Sequence, residues 1–156
     1  MAVSTRLAVD ADRPGICNVH VRAIRATCSS SYSAEQISSW AGLLSPDSYT
    51  TVIRDRVFVV ATDHAAVVGF GQLDPSSGDV EAVYVLPARQ GEGIGQGLLS
   101  YLEDSARLRG VATLGLSATL NATLFYERAG YSPCGPIVHK LPTGVELQCI
   151  RMTKQL

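Results

Sequence analysis

Apolar positions alternate with period two in some stretches and recur every three to four residues in others, and the switches between these periods divide the chain into elements. TRLAVD, residues 5–10, alternates well enough for a short strand. Asp10 or Asp12 can cap the helix that follows, with Pro14 in its first turn and Ile16, Val19, Ala23 and Thr27 marking its buried face. SAEQISSWAGLL opens on a capping box, Ser33 with Gln36, and carries Ile37, Trp40, Ala41 and Leu44 at helical spacing. Ser45 and Pro46 repeat the cap-then-proline pattern, which predicts a short third helical piece up to about Ile53.

From Arg56 the period becomes two. RVFVVATD, AAVVGFGQLDP and GDVEAVYVLP are β-branched and aromatic runs separated by the turn-rich TDHAA and PSSGD, a pattern for three antiparallel strands in a meander. Ile94, Leu98, Leu102 and Ala106 then recur at four-residue spacing, a helix that Gly110 can close. VATLGLSA reads as a strand, and NATLFYERAGY as a short helix capped by Asn121 and ended at Gly130. IVHKLP and VELQCIRMTKQL, joined by TG, predict a closing hairpin. The expected architecture is a single α/β domain over residues 1–156, with a mixed sheet of about seven strands flanked by helices.

Bulk composition narrows the function. The 156 residues carry 46% apolar content and mean hydropathy +0.15, enough for one sizeable core. No stretch nears the roughly 20 apolar residues of a membrane helix, and the N-terminus lacks the zones of a secretory signal, so no membrane partner and a cytoplasmic location are expected. Thirteen basic against fourteen acidic residues give net charge -1, without a basic run for phosphate backbones, so no nucleic-acid partner is expected. Cys17, Cys28, Cys134 and Cys149 lie far apart with no C-x-x-C pair, and no metal site is expected.

RQGEGIGQG, residues 89–97, sets four glycines at every second position between a predicted strand and a predicted helix. Without Cβ atoms, such a loop lets several backbone N–H groups converge, and the first turn of the following helix adds its own unpaired amides and positive dipole end. A phosphate or pyrophosphate is the natural guest; a tight strand-to-helix turn is the plainer alternative. The dinucleotide pattern G-x-G-x-x-G/A fails, because Gln96 or Leu98 stands at its third position, and no lysine follows to make a P-loop. Gln90, Gly91, Glu92, Gly93, Ile94 and Gly95 satisfy Q/R-x-x-G-x-G/A instead.

That pattern resembles the acetyl-CoA pyrophosphate loop of the GNAT superfamily of N-acetyltransferases. AVYVLPARQGEGIGQGLLSYLED is similar to the family's strand, loop and helix, and NATLFYERAGY to its later Asn and Tyr helix, 31 residues on from Gln90 to Asn121. The resemblance implies an acetyl-CoA-dependent acyltransferase moving an acetyl group to an amine of a small molecule or peptide by direct attack in a ternary complex. It implies cofactor contacts at Val83, Tyr84 and Val85 through the backbone, at Gln90–Gln96, at Asn121 and at Tyr126. A non-catalytic acyl-CoA-binding module is the alternative, and a homodimer is compatible with either.

Acetyl transfer needs an oxyanion donor, a proton for the departing thiolate and a base for the amine. By the resemblance, Tyr126 is the acid, a phenol protonated at neutral pH; packing in the core is its plainer role. Glu81 is the candidate base, two residues from Asp79 and on the same face of the sheet unless a bulge intervenes; a solvated surface charge is its alternative. His20 and His139 are further candidates, His64 belongs to a turn, and Cys134 or Cys149 could relay acetyl or simply be buried. The resemblance places the acceptor between the N-terminal helices and the C-terminal hairpin, where Arg22, Arg25, Tyr32, Trp40 and His139 could hold an amine bearing a carboxylate or an aromatic group. Trp40 also suits the core.

Overall fold

A computed structural model describes residues 3–156. Its seven strands are β1 (Val3–Leu7), β2 (Val57–Asp63), β3 (Ala66–Asp74), β4 (Asp79–Val85), β5 (Thr113–Thr119), β6 (Ser132–Lys140) and β7 (Glu146–Gln155). The helices are α1 (Arg13–Thr27), α2 (Ala34–Ala41), α3 (Thr50–Asp55), α4 (Ile94–Leu108) and α5 (Thr123–Arg128), supplemented by short 3-10 turns. The strands form one mixed sheet in the order β1-β2-β3-β4-β5-β7-β6, all pairs antiparallel except β4 with β5.

The unbroken apolar run of β2 is buried on both faces. Val57, Val59 and Ala61 pack towards α4, where Leu98, Leu99 and Leu102 are fully buried, each contributing roughly 1.5–3 kcal/mol. Phe58 and Val60 face α1, meeting Ile16, Val19 and Phe70. A third cluster joins α1 and α2 to β7 through Ile24, Tyr32, Ile37 and Leu147. Behind α4, Glu103 is buried but paired: it accepts from Tyr131 Oη (3.0 Å) and Lys154 Nζ (2.9 Å).

The sheet splits at its centre. β4 and β5 are in register only where Asp79 lies opposite Gly115. Past that point β4 stays with β3 as far as Val85, while β5 stays with β7 as far as Thr119, so the two halves diverge. Arg151 reaches across β5 to Asp79 (2.6 Å) at the root of the split. Glycine leaves room for this, since a Cβ at position 115 would push the Arg151 guanidinium aside.

Three local expectations need correction. The first strand ends at Leu7 rather than continuing to Asp10, because Asp12 accepts from Val9 N and takes Arg6 in a bidentate pair, bending the chain into a 3-10 turn. The first strand of the closing hairpin begins at Ser132, five residues before the expected Ile137; as an edge strand it tolerates Pro133 and Pro136, and a register shift between Pro133 and Gly135 absorbs the irregularity. Asn121 sits inside a 3-10 turn and makes no side-chain cap; α5 starts two residues later.

Candidate active site

The glycine loop leaves the end of β4 and turns twice through left-handed backbone, at Gly91 (φ 80°) and Gly93 (φ 82°), a region where L side chains are strained. The first bond inside α4 runs from Gly97 N to Gly93 O (3.1 Å), so the amides of Ile94, Gly95 and Gln96 precede the helical ladder and are available to a ligand. A Cβ built on Gly91 or Gly93 meets nothing within 4 Å: the space above the loop is open. That space is a cavity of about 460 Å³ bounded by the loop, Asn121, Leu124, Phe125 and Arg128. Arg89 ties the loop down, donating to Asp63 on β2 (2.9 Å) and to Glu92 (2.9 Å), while Gln90 Nε2 donates to Val85 O (3.2 Å).

From the loop the cavity continues into the split. A channel of about 140 Å³ runs between Val83–Val85 on one side and Thr119, Asn121 and Ala122 on the other, closed by Thr27 and Cys28 at the end of α1. Since β4 leaves β5 after Asp79, the β5-facing backbone groups of Val83–Val85 lie outside any strand pairing and line this channel. At its inner end is a void of about 40 Å³ with Glu81, Ala82, Val83, Thr119 and Tyr126 on its walls. Tyr126 is buried between Phe125 (5.0 Å between ring centroids) and Tyr131 (5.7 Å); its hydroxyl has no hydrogen-bond partner among the described residues, and burial raises its pKa.

The same void opens on its other side into a third cavity of about 240 Å³, sharing Glu81, Ala82, Tyr84, Ser117 and Thr119 with it. His20, Trp40, Tyr49 and Phe70 make its aromatic wall. His20 Nδ1 is 2.9 Å from Tyr49 Oη and its ring lies 4.5 Å from that of Tyr84; burial lowers its pKa to about 3, so the imidazole is neutral. Glu81 occupies a β-bulge, because β4 slips one residue against β3 between Leu73 and Gln72. Arg56 Nε and Gln72 Nε2 both donate to Glu81 Oε1 at 2.8 Å, which fixes the carboxylate and leaves Oε2 without a protein donor among the described residues.

Loop, channel, void and aromatic cavity bring together Val83–Val85, Gln90–Gln96 apart from Glu92, Asn121, Glu81, Tyr126, Trp40, His20 and His139. Glu92 points to Arg89, and Asp79 is held by Arg151 at the foot of the split. Tyr32 lines neither side: its hydroxyl donates to Gln148 O (2.6 Å) and accepts from Leu120 N (3.1 Å). Arg22 and Arg25 lie on a separate groove with Leu86, Pro87 and Ala88. Sequence reasoning missed Arg128, which borders the loop cavity without an ion pair among the described residues; its place in the last turn of the Asn and Tyr helix was the available signal. It also missed Gln72, Arg56 and Tyr49, which nothing local distinguishes. No cluster of three or more His, Cys, Asp or Glu among the described residues could hold a metal, and no helix there is long and apolar enough to cross a membrane.

A strand that leaves its parallel neighbour, a glycine loop running into a helix and a through-cleft between them make up the site, and comparison with known proteins gives its class. The chain belongs to the GNAT acetyltransferase family: the family model described as acetyltransferase (GNAT) domain matches residues 28–154. An IAA acetyltransferase from Azospirillum brasilense is 31% identical over 116 residues, covering 65% of this chain and 76% of that protein. A GCN5-related N-acetyltransferase from Rhodopseudomonas palustris superposes with TM-score 0.93 at 26% identity, covering 100% of this chain and 97% of the other. PaiA N-acetyltransferase from Thermoplasma acidophilum, solved in complex with coenzyme A, shares the fold with TM-score 0.82 at 20% identity, each chain covered in full. The protein is thus an acyltransferase of this family.

Proposed function

We propose that the protein is an N-acetyltransferase that carries an acetyl group from acetyl-CoA to a primary amine by direct attack in a ternary complex. The observation that carries this reading is the small void lined by both Glu81 and Tyr126, lying between a cofactor channel and a separate acceptor cavity. Acetyl-CoA supplies an activated thioester. The open space above Gly91 and Gly93, bounded by free amides and Arg128, suits its diphosphate, and the unpaired backbone groups of Val83–Val85 suit its amide-bearing arm and the acetyl carbonyl.

In this reading Glu81 Oε2 takes the proton that the amine gives up as its nitrogen bonds to the acetyl carbon, directly or through one water. An ammonium nitrogen has no lone pair, so the attacking species is the neutral amine, and Glu81 takes the proton that becomes acidic as that nitrogen bonds to the acetyl carbon. Tyr126 donates its phenolic proton to the sulfur that departs with the electron pair of the broken C–S bond. The burial that raises the phenol pKa also raises the proton affinity of a thiolate in the same dry site, so the transfer stays feasible. A cytoplasmic location accords with four free thiols.

Tyr126→Phe tests the assignment. It should cut kcat by roughly 100- to 1,000-fold while CoA affinity, measured by calorimetry, is unchanged. An unaltered kcat removes Tyr126 from the mechanism. Thermal stabilisation of the native protein by CoA, with no transfer to any amine in a broad panel, would instead make it an acyl-CoA-binding module.

A further inference from the structure

The walls of the acceptor cavity state what it can hold. Its volume, about 240 Å³, exceeds the roughly 150 Å³ apolar cavity that accommodates benzene by about the size of a two-carbon arm with an amine. Trp40, Tyr49, Phe70 and Tyr84 line that space, and Phe70 stacks on both Phe58 (5.5 Å) and Tyr84 (5.6 Å). No lysine or arginine lines it. Arg56 is paired with Glu81 (2.8 Å) and Arg151 with Asp79 (2.6 Å), His20 is neutral, and His139, Gln72, Ser117 and Thr119 are the other polar side chains on the wall. The carboxylate among the lining groups, Glu81, keeps Oε2 free.

A wall with four aromatic rings, one carboxylate and no lysine or arginine favours an amine and disfavours a carboxylate, which would lie beside Glu81. We propose that the acceptor is a small arylalkylamine lacking a carboxylate, its ring among Trp40, Phe70 and Tyr84 and its amino group at Glu81 Oε2. This rests on the acetyltransferase reading and narrows it. A peptide acceptor would seat only its first residue in a cavity of about 240 Å³, with the rest of its length outside.

Trp40 is the only tryptophan in the chain, so its fluorescence reports on the cavity without a label and without turnover. Titration with 2-phenylethylamine should quench or shift that emission saturably, whereas phenylalanine, the same skeleton with an α-carboxylate, should require about 100-fold higher concentration. With acetyl-CoA present, kcat/KM should favour 2-phenylethylamine over phenylalanine and over the N-terminus of a short alanine peptide by a similar factor. Ala82→Leu, which fills the cavity, should abolish the fluorescence response while the heat of CoA binding remains. If that variant fails to fold, the three-substrate comparison on the native protein decides alone. Equal or better use of phenylalanine or the peptide, or an emission blind to the amine, overturns the arylalkylamine assignment. Absence of CoA binding by the native protein overturns the acetyltransferase reading beneath it, and the calorimetry separates the two failures.

Discussion

On the proposed cofactor side of the cleft, the groups offered to a ligand are mostly backbone amides from one continuous stretch, Gly91–Gln96, set by glycine torsions and by the start of α4. On the acceptor side they are side chains, drawn from α1, α2, β3, β4, β5, β6 and β7, and held by one another: Gln72 and Arg56 on Glu81, Tyr49 on His20. A backbone site binds what every substrate of the reaction shares. The side-chain site can be rebuilt residue by residue without touching the loop.

Gly93→Val gives the sharpest test of this division. A β-branched residue at φ 82° is strained and its side chain enters the open space above the loop. CoA affinity should fall by about 100-fold, from the left-handed backbone cost plus lost charge-assisted hydrogen bonds. The Trp40 response to an amine should persist. A CoA affinity within about two-fold of the native value, read by calorimetry, would mean that the loop amides do not carry the diphosphate.

On the acceptor side the counterpart is acid sensitivity. His20 has a folded pKa of about 3 against about 6.5 unfolded, so the unfolded chain binds the proton first. Its contribution to stability is complete above about pH 6.5 and is lost as the pH falls towards 3. Between pH 7 and pH 5 the loss amounts to about 2 kcal/mol. Urea unfolding of the native protein and of His20→Asn at both pH values should show the variant losing less by about that amount. Identical losses would mean that His20 is not buried as a neutral ring.

The same division governs what could be read from the sequence. The geometry of the loop was legible because its residues are contiguous and glycine spacing alone displays the turn from strand to helix. The sheet order of β2, β3 and β4 followed from alternation and short turns, and α4 from its four-residue repeat. The start of β6 was hidden because Pro133 and Pro136 break a central strand but not an edge one, and edge position is a property of the assembled sheet. The face on which Glu81 sits depended on a bulge, a one-residue slip that leaves no mark in the alternation of a short strand. Gln72 and Arg56 reach Glu81 from 9 and 25 residues away along the chain, so their role arises only when β2, β3 and β4 align.

Tyr32 offers the smallest effect and refines the boundary between the two sides. Its sequence position pointed to the acceptor, yet its hydroxyl joins β7 to the turn before α5, donating to Gln148 O and accepting from Leu120 N, the residue ahead of Asn121. Burial raises its pKa, so the phenol stays protonated and keeps donating across the working range. Tyr32→Phe removes both bonds while the ring remains packed against Trp40 (6.0 Å between centroids). The cost to stability should be about 1–2 kcal/mol, much of it from Leu120 N and Gln148 O losing their partner. If the hydroxyl acts only as this staple, KM for acetyl-CoA should rise a few-fold, roughly three-fold, through a looser Asn121, while KM for the amine stays put. The opposite pattern, amine KM raised with stability intact, would move Tyr32 to the acceptor wall and shift the dividing line between the two halves of the cleft.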